Sequence, residues 1–483
     1  MSSLIKDRAR QSVYDAIVIG AGPNGLAAAI FLAQKGCSVL VVEARDTPGG
    51  GMRSAELTLP GFLHDICSAI HPMGYGSPFF RTLPLEKYGL EWIQPAAPLA
   101  HPLDDGTAAL LECSIEATGE TLGDDAERYR KLMQPLIPDW DVLCHALLNP
   151  LQLAKYPLAW AKFGFWAARS ARGLTNAVFK GPRARALFAG VAAHSMLPLE
   201  QSPSAAIGLA LAIAGHAVGW PLPKGGSQNI AVSLTCYFQS LGGELLTNAP
   251  VASLEDLPSS KAILCDISPK QLLAIAGERL PMGYVRKLER YKYGPGVFKL
   301  DYALDGPIPW KAPECLRAGT VHLGGAQAEI ALSERQVSEG IPPESPYVLL
   351  AQQSLFDPSR APAGKHTVWA YSHVPNGCAF DMTERIEAQI ERFAPGFRDR
   401  ILAKHTYTPE TLQAYNANYI GGDINGGSEG WRQLFSRPVL RPIPYTTPVK
   451  GLFLCSASTP PGGGVHGMCG YYAALAALHN CLR

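Results

Sequence analysis

The chain has 483 residues, eleven cysteines, twelve histidines, 17% charged residues and a formal net charge of +1. That length exceeds a single hydrophobic core and suits two or three folding units, and so even a charge balance gives no electrostatic reason to expect nucleic acid. The cysteines show no C-x-x-C spacing and the histidines no H-E-x-x-H, so neither a disulfide framework nor a metal site is expected, and the thiols suit a reducing, cytoplasmic compartment.

The leading MSSLIKDRARQSV is charged and lacks the apolar centre of a secretory signal. Ala16–Ile19 then reads as a buried parallel strand, followed by the turn Gly20, Ala21, Gly22, Pro23, Asn24, Gly25 and a helix to about Lys35. Gly20, Gly22 and Gly25 satisfy G-x-G-x-x-G: the first permits the tight turn, the second backbone approach to a diphosphate, the third close helix packing. Glu43 closes the next strand, Ser38–Val42, eighteen positions after Gly25, where a carboxylate can accept from ribose hydroxyls. With strand, helix and acid all in place, the pattern predicts a dinucleotide site. Ala44, Arg45, Gly49, Gly50, Gly51, Met52 and Arg53 follow at once, a glycine-rich loop between cations that suits a second backbone approach to a diphosphate.

Further along, Leu90–Ile93 and Ala108–Glu112 read as short strands of an antiparallel sheet, and the pattern turns helical from Gly119 to about Pro198. Asp141 to Glu200 encloses no acid. Within it Lys155, Lys162 and Arg169 recur every seven positions, beside Leu153, Tyr156, Trp160, Phe163, Ala167 and Leu174. Two readings fit this basic, aromatic stretch: a lobe resting on an anionic membrane surface, or a helical lid or homo-oligomer contact packing its aromatics inside. Gln201–Pro223 carries no Asp, Glu, Lys or Arg, but prolines cut its apolar run below the roughly 20 residues a bilayer needs, so it is expected inside the protein. Gln228–Gln239 reads as a helix, and Glu244–Leu246, Val251–Leu254 and Ala262–Asp266 as strands. Val297–Ala303, Val321–Leu323, Tyr347–Gln352 and Thr367–Ser372 read as strands of the second sheet, with an amphipathic helix at Met382–Phe393. Gly451–Ser456 is a last strand. It leads into Gly462, Gly463, Gly464, Val465, His466, Gly467 and Met468 and an alanine-rich helix from Tyr471, whose N-terminal amides and dipole would face an anion.

The two glycine runs, with GGGMRSAELTLPGFLHDICSAIHP near the start and LCSASTPPGGGVHGMCGYYAA at the end, resemble the two-dinucleotide-binding-domain flavoproteins. Among these the chain is most similar to the phytoene-desaturase-like proteins, including the group related to pyridine nucleotide-disulfide oxidoreductase domain protein 2, and the likeness spreads over nearly its whole length. The resemblance implies an α/β protein. A discontinuous Rossmann-like FAD-binding domain would hold residues 14–76, 219–282 and 419–483, an α+β substrate domain on an antiparallel sheet 77–118 and 283–418, and a helical lobe 119–218. It implies FAD as cofactor, with Val251 holding the adenine through its backbone and Ser456, Gly463, Gly464, Val465 and Met468 along the flavin. His71, Asp423 and His466 are the candidate acids or bases beside the ring. The implied activity is oxidative: dehydrogenation of an apolar, isoprenoid or polyene-like substrate by hydride transfer to flavin N5, with oxygen or a quinone as acceptor. Alternatives on the same scaffold are an amine oxidase, a double-bond isomerase that keeps its flavin reduced, and a prenyl- or lipid-binding protein without catalysis.

Overall fold

The computed structural model describes residues 3–150 and 157–482. Its first strand, Val13–Ile19, lies between Val39–Val42 and Ser259–Cys265; Glu244–Leu246 and Leu452–Leu454 complete the two edges. All four pairings are parallel. Parallel strands are covered on both faces, so they read as unbroken apolar runs, and VLVV at 39–42 is buried throughout. One face packs under Pro23–Gln34, which is itself flanked by Gln228–Ser240 and Met468–Cys481. The other meets Pro269–Ala276 and Met282–Glu289. This is a Rossmann-like layer assembled from both ends of the chain.

A separate seven-stranded sheet runs Ile401–Tyr407, Gly296–Leu304, His366–Val374, Val348–Ala351, Ala318–Leu323, Ala97–Pro102, Ala108–Leu111. Its pairings are antiparallel except the one between Ala318–Leu323 and Ala97–Pro102. Thr383–Phe393 covers its outer face in a second apolar cluster, through Ile386, Ile390 and Phe393.

Several expectations need correction. Val251–Leu254 is not a strand: Ser253 and Asp256 cap each other's backbone and close a 3-10 turn at Leu254–Asp256, satisfying locally the amides a ladder would have used. Leu90–Ile93 contributes only Trp92–Ile93, which pairs with Leu222–Pro223 in a small ribbon rather than with the large sheet. The basic stripe is also broken. Its helix, Pro157–Ala167, ends before Arg169, and Ser170 caps the next helix by accepting from Gly173 N. Lys162 pairs with Asp139 at 3.0 Å, and Arg169 stacks over Phe165 and Trp166. Phe163, Ala167 and Leu174 are buried and Trp160 half-buried, while Leu153, Lys155 and Tyr156 lie outside the described residues. Ser204–Ala217, from the long uncharged run, has nine of its fourteen residues buried and none exposed, and among the described residues no helix is long and apolar enough to cross a membrane.

Candidate functional site

The first strand ends at Gly20, whose φ of +98° only glycine adopts without strain. A Cβ on Gly25 would drive into the Gly20 carbonyl, and one on Gly22 would stand 2.7 Å from Asp266 Oδ2. Helix Pro23–Gln34 therefore begins hard against the turn, with Pro23 at a position where its missing N–H costs nothing. Glu43 is buried and accepts from Ala21 N at 2.8 Å, Arg45 N at 2.9 Å and Arg53 Nη2 at 3.2 Å. A carboxylate offers about four lone-pair sites, so one is left over. Arg53 donates also to the Thr47 carbonyl and lies over the Tyr415 ring, while Arg45 reaches the Ala414 carbonyl. Both cations brace the loop, and Gly50 packs against Gly22, where a Cβ would be 3.0 Å from its Cα. Met52 is buried beneath.

The far end of the chain arrives at the same place. Met468–Cys481 packs along Pro23–Gln34, and Gly470 sits so tightly on the Asn24 carbonyl that a Cβ would overlap it. Arg437, fully buried, fixes the approach by donating to Glu429 at 3.0 Å and to the Gly427 carbonyl at 3.1 Å. The two glycine turns thus face one another across a single cavity of about 480 Å³. Gly22, Pro23, Asn24 and Gly51 line it from the first end, and Ser456, Gly463, Gly464, Val465 and His466 from the last. Gly20, Gly25, Glu43, Ala44, Arg45, Gly50, Met52, Arg53 and Met468 do not line it; Glu43, Met52, Arg53 and Met468 are buried, whereas Ala44 and Arg45 are exposed. Val251 lies half-buried beyond the parallel sheet's edge, where the chain crosses Glu43 through Ala249 N.

The candidate acids and bases divide. His71 lines the cavity, bonded through Nε2 to Ser227 Oγ at 2.8 Å, and Ser227 in turn donates to the Ser68 carbonyl. Since that hydroxyl proton is committed, His71 donates to it from Nε2. His466 Nδ1 accepts from Met468 N at 3.0 Å, which places the ring proton on Nε2, a buried donor with no protein partner. Burial lowers both rings to about 4, so both are neutral at pH 7. Asp423 differs. Its carboxylate accepts from Gly294 N at 2.7 Å and Asn425 N at 2.8 Å and does not reach the cavity; burial raises it to about 6. It fixes the loop that presents Ile424 and Asn425 to the cavity.

Sequence reasoning overlooked other groups here. Asp266, at the end of Ser259–Cys265, lines the cavity and accepts from Gly25 N at 2.9 Å. Lys299 and Asp301, outside the cavity lining, form a buried ion pair on Gly296–Leu304, the lysine lying 5.8 Å from the ring of Trp369, which does line it, and 5.7 Å from that of Tyr407. Burial lowers the lysine and the Asp301 charge opposes it. A signal was available: two charges at i and i+2 inside FKLDYAL must share one face of the strand. Leu148, Ala206, Ile207, Leu211, Leu349 and Trp369 line the same cavity as an apolar chamber. Its walls come from Ser204–Ala217 and the inner face of the antiparallel sheet, which no local pattern could bring together.

The residues suit a dinucleotide. A Cβ has no room at Gly51, 2.6 Å from Tyr419 Oη, or at Gly463, 2.8 Å from the Asn425 carbonyl, and His466, whose Nε2 has no partner, lines the same cavity. Comparison with known proteins agrees. Residues 18–83 match the NAD(P)-binding Rossmann-like domain. Pyridine nucleotide-disulfide oxidoreductase domain-containing protein 2 of Rattus norvegicus is 25% identical over 547 aligned positions, covering 95% of this chain and 92% of that protein. The neurosporene-forming phytoene desaturase of Rhodobacter capsulatus is 26% identical over 94% of this chain and 92% of its own. The solved structure of an oxidoreductase from Methanosarcina mazei superposes with a TM-score of 0.64 at 14% identity, covering 96% of this chain and 99% of that one. The chain is an oxidoreductase with a dinucleotide-binding domain, related along nearly its whole length to the phytoene-desaturase-like proteins.

Proposed function

We propose that the protein is an FAD-dependent dehydrogenase acting on carbon–carbon bonds of an apolar, isoprenoid- or polyene-like substrate. The observation that carries this reading is one cavity shared by both glycine turns and an apolar chamber. The turn at Gly20–Gly25 and the helix N-terminus behind it would take the diphosphate, and the remaining lone pair of Glu43 the ribose. The loop Gly463–His466 would lie along the ring, with the His466 Nε2–H placed to donate to a ring oxygen or nitrogen carrying negative charge. Bound there, FAD supplies a two-electron hydride acceptor. The chain's own residues do the rest. Ala206, Ile207, Leu211, Leu349 and Trp369 exclude water and hold a hydrocarbon by area alone, at about 25 cal/mol per Å² of apolar surface removed from water. The chamber suits a chain with few polar groups, which agrees with the named substrate of the phytoene desaturase relative.

The test is anaerobic. Purified protein is expected to be yellow, and addition of phytoene in detergent micelles to bleach its visible flavin absorption. A colourless protein that takes up no FAD on reconstitution, or a flavin that stays oxidised with phytoene and longer polyenes, overturns the reading.

A further inference from the structure

The two walls of the chamber differ in chemistry. Helix Ser204–Ala217 contributes Ala206, Ile207 and Leu211, whose side chains carry no polar atom. The antiparallel sheet contributes Thr320, Trp369 and Tyr371 beside Leu349. These three polar residues are only 1%, 5% and 6% exposed. Thr320 Oγ1 and Trp369 Nε1 have no hydrogen-bond partner, and the Tyr371 hydroxyl forms no hydrogen bond among the described residues. A buried N–H or O–H has given up its water and recovers nothing until a partner arrives.

Among the described residues, four that carry such orphaned side-chain atoms line the cavity. Asn24 and His466 belong to the glycine turns, where the cofactor reading already supplies a partner. Thr320 and Trp369 belong to the sheet, and register sets them side by side. Ala351 stands opposite Thr320 on one neighbouring strand pair and opposite Trp369 on the next, so only its methyl separates them in that row. Strands about 4.8 Å apart put the two Cα atoms about 10 Å from each other. Tyr371, two positions past Trp369, shares its face, and the two rings meet edge to face at 5.0 Å. An indole N–H only donates, whereas the two hydroxyls donate or accept. Burial raises the Tyr371 phenol well above its usual range, so it keeps its proton. No net charge is on offer here: Lys299, 5.8 Å from the Trp369 ring, is already paired with Asp301.

We propose that Thr320, Trp369 and Tyr371 form a subsite for one uncharged oxygen, hydroxyl or carbonyl, on an otherwise hydrocarbon substrate. This rests on the proposed function and narrows its substrate class to an oxygenated isoprenoid. Trp369 Nε1 donates to the oxygen, and the Thr320 and Tyr371 hydroxyls complete its hydrogen bonds. The helix wall takes the chain. Burial of apolar surface has no direction, so a bare hydrocarbon can slide along that wall. An oxygen held on the sheet instead fixes which carbons lie toward the glycine turns.

Farnesol, farnesal and β-farnesene share one carbon skeleton and differ in the oxygen, which makes them the test set. Titrated into the purified protein and followed by tryptophan fluorescence, they report binding without turnover. The oxygenated ligand is expected to bind about tenfold more tightly than β-farnesene. Whether farnesol or farnesal gains more tells a hydroxyl site from a carbonyl site. Thr320→Val and Tyr371→Phe keep the side-chain shape and remove one hydroxyl each. Each should weaken the oxygenated ligand several-fold and leave β-farnesene as it was. Neither should lower the melting temperature of the ligand-free protein, because neither hydroxyl is bonded there. Equal affinity for all three ligands, or variants that lose β-farnesene as much as farnesol, overturns the subsite. The two readings fail separately. A flavin that no polyene bleaches sinks the dehydrogenase while the binding preference still decides the subsite; bleaching by phytoene with no preference for oxygen keeps the enzyme and removes the subsite.

Discussion

Asp266 holds a carboxylate against the turn that would receive a diphosphate, accepting from Gly25 N at 2.9 Å. Burial raises its carboxyl to about 7, the nearby Glu43 charge pushes the same way, and the amides of Gly25 and Gly22 oppose. Unfolded, the same group titrates at its ordinary 3.8. Between these values the folded chain keeps a proton that the unfolded chain has released, so stability falls as pH rises and the loss is complete above about 7. Asp266→Asn keeps an acceptor for Gly25 N and removes the titration. The variant is expected to melt higher than the wild type at pH 8, with the gap closing as pH falls toward 4; a gap independent of pH would assign the shift to something other than this carboxyl. A bound diphosphate raises the carboxyl further by like-charge repulsion, so alkaline pH should loosen cofactor in the wild type more than in the variant.

At the scale of elements, the site depends on two helices whose N-termini lie side by side. Gly470 is the contact: in Met468–Cys481 it faces the Asn24 carbonyl with no space for a methyl group. Gly470→Ala must push the C-terminal helix off Pro23–Gln34 or tilt it, at ~1–3 kcal/mol of overpacking strain. The loop Gly463–His466 moves with it. The expected result is a folded protein with lowered melting temperature and a several-fold weaker hold on flavin, read by the flavin retained after gel filtration; full retention would mean that the loop is positioned independently of its helix.

How far the sequence discloses these elements follows the range of the forces that set them. The strand, turn, helix and acid at Ala16–Glu43 were legible because each residue acts on its neighbours: glycine where φ is positive, apolar residues where a parallel strand is covered twice. Ala97–Pro102 and Ile401–Tyr407 were not. APLAHP carries two prolines and ILAKHTY breaks its apolar start with Lys404 and His405, and each is a strand because its partners supply the ladder. The stripe at Lys162 and Arg169 failed for the converse reason, since a seven-residue spacing means nothing once Ser170 has begun a new helix. His71 and His466 were visible as histidines beside glycine runs. Asp423 looked alike but spends its carboxylate on the Asn425 amide two residues on and on the Gly294 amide, a partner over a hundred residues away.

For the molecule as a whole, the parallel layer forms one end of the cavity, and the antiparallel sheet with Ser204–Ala217 the other. This division lets cofactor binding and substrate binding be separated by experiment. Ala206 lines the chamber from the helix and is only partly buried, so a large side chain there extends into open space and does not displace a packed neighbour. Ala206→Trp adds an indole to a cavity of about 480 Å³ and is expected to leave the parallel layer and both glycine turns untouched. Flavin content, melting temperature and reduction by dithionite should match the wild type, while bleaching by phytoene should fall at least tenfold, through lost binding rather than a slower step at saturation. Unchanged bleaching would mean the hydrocarbon reaches the cofactor by another route, along the faces of His71 and Met73 rather than past the helix. Met73→Trp would then be the variant that blocks it.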